Sequence, residues 1–227
     1  MIRGVLFDAY GTLFDIYAIS VVADSIWPGR GAEVAAVWRE KQMEYTRLRT
    51  LCGQYSDFWN VTQDALEYSC DSLRLVLSDS NRATLMGAYA ELGSYLGNSE
   101  ALARMHEAGL LLGILSNGTP AMLKTALNAS GLAAFFSHVI SVDQVKKYKT
   151  APEAYRLGPE ILGAPAGAIL FVSSNGWDVC GATWFGYQTF WLNRAGQPAE
   201  RLGVSPHVVG KSMLEVASFA IDNASAE

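Results

Sequence analysis

Leu110-Leu111-Leu112-Gly113-Ile114-Leu115-Ser116-Asn117-Gly118-Thr119-Pro120 holds a strand, a polar loop and the start of a helix in one short stretch. The apolar run from Leu110 to Leu115 predicts a buried strand. Ser116-Asn117-Gly118 interrupts it. Thr119 suits an N-cap and Pro120 a first helical turn, so a helix is expected to about Ala129. The pattern then recurs. His138 to Ser141 predicts a short strand, and Thr150-Ala151-Pro152-Glu153 reads as a capping box opening a helix to about Leu162. Ala168 to Val172 predicts a strand, Gly176 to Phe185 a helix and Gln188 to Leu192 another strand. Alternation of this kind makes a parallel sheet with helices on both faces, an α/β fold.

Upstream, Val5-Leu6-Phe7 ends in Asp8 and Gly11 and predicts the first buried strand. From about Asp15 to Leu96 helical signals replace strand signals. Helices are expected over Ala32 to Thr50, Asp57 to Cys70 and Asn81 to Leu92. In the first of these, Ala35, Trp38, Gln42, Tyr45 and Leu48 fall at helical spacing and predict one buried face. This helical stretch is inserted between the first and second strands. A small polar tail follows near Asn223.

The chain has 227 residues, 50% hydrophobic and 17% charged, which excludes a disordered polymer. Net charge is −5 with no Lys/Arg block, so no nucleic-acid partner is expected. No apolar run reaches membrane-spanning length, and Met1-Ile2-Arg3-Gly4-Val5 lacks the layout of a signal peptide. Cys52, Cys70 and Cys180 show no paired spacing and read as free thiols of a reducing cytoplasm. None of the three histidines sits in a catalytic or metal pattern.

In an open parallel sheet, ligands bind beyond the carboxyl ends of the strands. The first strand end offers Asp8, Tyr10 and Thr12, the second Ser116 and Asn117, and a later one Ser173, Asn175 and Asp178, while the loop before a helix offers Lys149. Ser116-Asn117-Gly118 precedes a helix N-terminus, which favours an anion. Lys149 also precedes one, which disfavours a cation. It is either solvated with Lys146 and Lys147 or held by an acid, with Asp8 and Asp178 as the partners to hand. Arg39 borders the apolar stripe beside Trp38 and is either a snorkelling surface arginine or a site residue. Tyr10, Phe58 and Trp177 could line an apolar pocket or belong to plain core.

Phe7-Asp8-Ala9-Tyr10-Gly11-Thr12-Leu13-Phe14-Asp15 resembles the opening motif of the haloacid dehalogenase superfamily. Leu115-Ser116-Asn117-Gly118, Lys149-Thr150-Ala151-Pro152-Glu153-Ala154-Tyr155 and Phe171-Val172-Ser173-Ser174-Asn175-Gly176-Trp177-Asp178 resemble its second, third and fourth. The first and fourth are most similar to the L-2-haloacid dehalogenase branch. The resemblance covers nearly the whole chain, including Asp57-Phe58-Trp59. It implies a Rossmann-like core, residues 1–14 and 97–227, with an inserted helical cap, residues 15–96. It makes Asp8 the nucleophile. It gives functional positions to Thr12, Arg39, Ser116, Lys149, Tyr155, Ser173, Asn175 and Asp178, and substrate-pocket positions to Tyr10, Phe58, Asn117 and Trp177. Homodimers are common among similar proteins, and one is expected here.

Phosphatases of the same superfamily carry an acid two residues after the nucleophile to protonate a departing alkoxide. Here Tyr10 stands in that place. Without the acid, an alkoxide leaving group loses roughly 10²–10⁴ in rate, whereas a halide needs no proton. The fourth motif offers Asp178 alone rather than adjacent acids, so neither metal nor other cofactor is expected. The resulting expectation is a hydrolytic dehalogenase. It turns an (S)-2-haloalkanoic acid into an (R)-2-hydroxyacid and halide through an ester on Asp8. Ser116, Asn117 and Thr12 or Arg39 would hold the substrate carboxylate. Arg39 and Asn117 would receive the halide, and Lys149 would favour the charged form of a neighbouring acid. Asp178, oriented by Ser173 and Asn175, would be the base for water. A superfamily phosphatase and a non-catalytic binding protein are the alternatives.

Overall fold

The computed structural model describes residues 1–224; residues 225–227, the end of the expected polar tail and of the expected core segment, lie outside it. A six-stranded parallel sheet forms from β1 (Gly4–Phe7), β2 (Leu111–Ser116), β3 (His138–Ser141), β4 (Ile169–Ser173), β5 (Gln188–Leu192) and β6 (Val208–Gly210). Its order is β3-β2-β1-β4-β5-β6. The chain therefore winds outward from β1 in one direction, then crosses back and winds outward in the other. The switch lies at β1, where a crevice opens beyond the carboxyl ends of the strands. Every residue of β1 and of β4 is buried, as a strand covered on both faces requires. The register sets Phe7 beside Ile114 and Val172, so Asp8 leaves the sheet between the ends of β2 and β4.

Four helices fall between β1 and the approach to β2: α1 (Ile19–Ile26), α2 (Gly31–Leu51), α3 (Phe58–Ser72) and α4 (Asp79–Ala90). They pack on one another, α1 against α2 and α4, and α2 against α3. The remaining helices flank the sheet: α5 (Asn98–Glu107), α6 (Pro120–Ser130), α7 (Pro152–Leu162), α8 (Gly176–Phe185) and α9 (Met213–Asp222). Side chains cap several of them, Asp57 on Asn60 N at 2.9 Å for α3 and Thr119 on Met122 N at 3.2 Å for α6. Each such cap contributes about 1 kcal/mol.

Two local expectations are corrected. The buried face of α2 runs through Val34, Ala35, Trp38, Gln42, Met43 and Thr46, whereas Tyr45 is half-buried and Leu48 exposed. The stripe advances in steps of four residues, so it turns away from Tyr45 and Leu48. Residues 150–153 are not a capping box: the N-cap of α7 is Ala151, without a side-chain bond, and Glu153 pairs with Lys147 instead. A capping-box pattern stands instead at Ser212 and Glu215, where Ser212 Oγ accepts from Glu215 N and Glu215 Oε1 accepts from Lys211 N, one residue before the N-cap, both at 3.2 Å.

Candidate active site

The sheet edge gathers the polar strand ends around Asp8. Its Oδ2 accepts hydrogen bonds from Asn175 Nδ2 at 2.8 Å, Thr12 Oγ1 at 2.9 Å and Ser173 Oγ at 3.3 Å. The direction of the Thr12 proton follows from its neighbours. Ser174 N donates to Thr12 Oγ1 at 2.9 Å and Ser174 Oγ donates to the Gly11 carbonyl, which leaves Asp8 to take the Thr12 proton. Among the described residues Oδ1 has a single partner, Lys149 Nζ at 3.2 Å. The two oxygens thus differ, one held by three donors and the other open to a further partner.

Lys149 is held by acids rather than solvated. Its ammonium, 0% exposed, lies 2.9 Å from Asp178 Oδ2 as well as 3.2 Å from Asp8, and 4.9 Å from the Phe171 ring centre. Burial alone would lower its pKa, but Asp178 and then Asp8 overcome this and raise it. Asp178 Oδ1 accepts from the Tyr155 hydroxyl at 2.7 Å. Burial pushes the Asp178 carboxyl up to about 6, Lys149 pulling it down and Asp8 pushing it further up. Gly181 permits this arrangement, because a Cβ there would stand 2.5 Å from the Tyr155 oxygen.

A small cavity opens above Asp8, lined by Tyr10, Arg39, Phe58, Ser116, Asn117 and Trp177, and by Met43. Tyr10 stacks on Tyr89 and tilts against Phe58, with centroids 5.5 and 5.7 Å apart. Its buried hydroxyl has no hydrogen-bond partner among the described residues. Burial, then Tyr89 and Asp8, raise the Tyr10 hydroxyl well above the usual phenol range. It is a poor acid at the place where a phosphatase needs a good one. Asn117 Oδ1 accepts from Lys149 N at 3.0 Å, which anchors the amide at the cavity edge. Arg39 reaches in from α2, with Nη2 3.5 Å from the Tyr10 carbonyl and 3.4 Å from Asn175 Oδ1.

The expected residues thus meet at one strand edge, in two groups. Thr12, Lys149, Tyr155, Ser173, Asp178 and half-buried Asn175 form the network under Asp8. The other residues expected in the site line the cavity. Three expected contacts are corrected. Ser173 and Asn175 bond Asp8, and it is Tyr155 and Lys149 that bond Asp178. Thr12 is fully buried against Asp8 and Ser174, so it does not line the cavity. The amide of Gly118 donates to Ser116 Oγ at 3.1 Å, and Thr119 caps α6 itself. Anion donors in this loop therefore come from Ser116 and Asn117 rather than from the helix start. Met43 and Ser174 are additions to the expected set. Met43 follows Arg39 by one helical turn, and that spacing is the signal for it. Arg194 has no local signal; its Nη2 donates to the Thr12 carbonyl at 3.0 Å and steadies the loop after β1.

Residues 2–186 match the family model of haloacid dehalogenase-like hydrolases. An (S)-2-haloacid dehalogenase from Pseudomonas sp. (strain YL) is 43% identical over 205 residues, 90% of this chain and 88% of that protein. A crystal structure of an L-2-haloacid dehalogenase is 50% identical, with TM-score 0.95, covering 96% of this chain and 98% of that one. A Xanthobacter autotrophicus L-2-haloacid dehalogenase structure with chloropropionic acid covalently bound is 36% identical, with TM-score 0.93, over 99% and 100% of the two chains. The chain belongs to the haloacid dehalogenase-like hydrolase family.

Proposed function

We propose that the chain is an (S)-2-haloacid dehalogenase that forms an ester on Asp8 and releases an (R)-2-hydroxyacid and halide. The observation that carries the reading is the asymmetry of Asp8. One oxygen is fixed by Thr12, Ser173 and Asn175, and the other is open beside Lys149. A carboxylate so held is aimed as a nucleophile.

Oδ1 attacks C2 of the substrate from the side opposite the halogen. The carbon–oxygen bond forms as the carbon–halogen bond breaks, halide leaves with the electron pair, and the carbon inverts. Ser116 and Asn117 hold the substrate carboxylate. Arg39, with Asn117 and the aromatic wall, receives the halide. Oδ2 becomes the ester carbonyl oxygen. Water then attacks Cγ of Asp8, and negative charge gathers on Oδ2, where Thr12, Ser173 and Asn175 already donate. Asp178 takes one proton of the water and returns it to the departing alkoxide as Cγ–Oδ1 breaks; the other stays on the new Asp8 hydroxyl and is lost to solvent, which restores the carboxylate. A carboxylate has room for more than two donors, so Asp178 can accept from water while bonded to Lys149 and Tyr155.

The raised pKa of Asp178 makes a prediction for pH. Its basic form dominates above about 6 and is lost as pH falls through that value. Decay of the ester should slow by about tenfold per unit below this point. Quenched single turnovers at stepped pH measure it, and a flat profile down to pH 4 would remove Asp178 as the base. In Asp178→Asn the ester should persist and be detected as added mass on the peptide containing Asp8.

The ammonium of Lys149 lies within 3.2 Å of both acids that a divalent ion would need. Halide release from L-2-chloropropionate should therefore proceed in excess chelator. Loss under chelator with recovery in magnesium would contradict the reading. Residues 15–96 act in it as a cap that keeps the cavity dry over a core of residues 1–14 and 97–227. The place of Arg39, Met43 and Phe58 in the cavity wall supports this, as does the packing of α1 to α4 on one another. Among the described residues no helix is long and apolar enough to cross a membrane, and Cys52, Cys70 and Cys180 are unpaired. The unpaired thiols support a reducing cytoplasm, and exposed Leu48, Leu51 and Tyr68 on α2 and α3 support a homodimer.

A further inference from the structure

Gln42 lies on α2 one turn beyond Arg39 and is 1% exposed. Its Oε1 accepts from Arg39 Nη1 at 2.8 Å, and its Nε2 donates to Thr62 Oγ1 on α3 at 2.7 Å and to the Tyr89 hydroxyl on α4 at 3.1 Å. Which end of the amide faces Arg39 is fixed. Arginine has only donors, and Thr62 gives its own proton to the Phe58 carbonyl at 2.6 Å. A single buried amide therefore ties three helices to one guanidinium.

Arg39 needs such a tie. It forms part of the wall of the reaction cavity and also of a second small cleft behind it, lined by Ile16, Ile19, Ala35 and Trp38 together with Gln42 and Tyr89. An arginine side chain has several rotatable bonds, so a firm partner is what holds it in one orientation. On the reaction side its contacts are long, 3.4 and 3.5 Å, so the 2.8 Å bond to Gln42 is the firm one. It occupies Nη1 and leaves Nη2 toward Tyr10 and Asn175. We propose that Gln42 is the positioning residue that aims Arg39 at the departing halide, and so acts on the first chemical step alone. This rests on the dehalogenase reading above.

The test separates the two steps in Gln42→Met, which keeps length and apolar packing but removes the acceptor. The halide burst should slow by roughly 10–100-fold, the worth of a hydrogen bond to a charged group. Inhibition by added bromide should weaken by a similar factor, while ester decay stays within about twofold of the unsubstituted enzyme. In an Arg39→Met background, adding Gln42→Met should change the burst by less than about twofold, because the residue acts through Arg39. Equal slowing of both steps, losses that multiply in the double variant, or an unchanged burst would each overturn the proposal. If Gln42→Met is too unstable to assay, Thr62→Val, which frees the amide to turn, should give the same selective loss, and an unselective loss there overturns it equally. An unsubstituted enzyme that releases no halide would instead overturn the dehalogenase reading itself.

Discussion

Asp8→Asn should lose halide release by on the order of 10⁴-fold or more, the scale seen when a nucleophile is removed. An amide oxygen carries no charge to place on the substrate carbon, so the first bond never forms. The fold should survive, because Lys149 keeps its 2.9 Å partner Asp178 and the carbonyl of the introduced amide can still accept from Thr12 and Ser173. Halide release measured beside the thermal midpoint separates the two effects. An Asp8→Asn protein that folds and retains a tenth of the activity would exclude Asp8 as nucleophile.

Lys149→Met should damage both stability and activity. Among the described residues, the ammonium is the sole cation in a salt bridge with two carboxylates that are 6% and 0% exposed. Removing it leaves like charges facing one another in a dry site, at a cost of about 3–5 kcal/mol. Asp8 then loses the hydrogen bond that holds Oδ1, so halide release should fall with the urea midpoint. Lys149→Arg should not restore function, since a planar fork does not replace a compact ammonium over the Phe171 ring 4.9 Å away. A Lys149→Met protein as stable as the parent would mean that the acids do not depend on this cation.

The sheet was legible because parallel strands buried on both faces leave apolar runs, and α8 and β5 begin and end where the pattern predicts. What was not legible has local causes. The three-residue strand β6 is too short for a pattern, and α5 starts after a left-handed Gly97 with no side-chain cap. The helix α9 did carry a signal, the box at Ser212 and Glu215, while Thr150 and Glu153 imitate one beside a helix that begins differently. Within the site, residue types at strand ends pointed to Asp8, Lys149 and Asp178. Partners did not follow from type alone: Ser173 and Asn175 fit either acid, and only the tertiary path of the chain gives them to Asp8. Gln42 stood in the apolar stripe of α2 as an unexplained amide, and its meaning depends on Thr62 and Tyr89, which come from two other helices.

The central claim is that Asp8, rather than water, attacks the substrate carbon, although either route inverts it. One turnover with enzyme in excess in heavy-oxygen water decides between them. Attack by Asp8 takes the new hydroxyl oxygen from its own carboxylate, so the hydroxyacid should be unlabelled and the label should appear in the peptide containing Asp8. A labelled hydroxyacid with an unlabelled peptide would contradict the covalent mechanism and leave Asp8 as at most a general base.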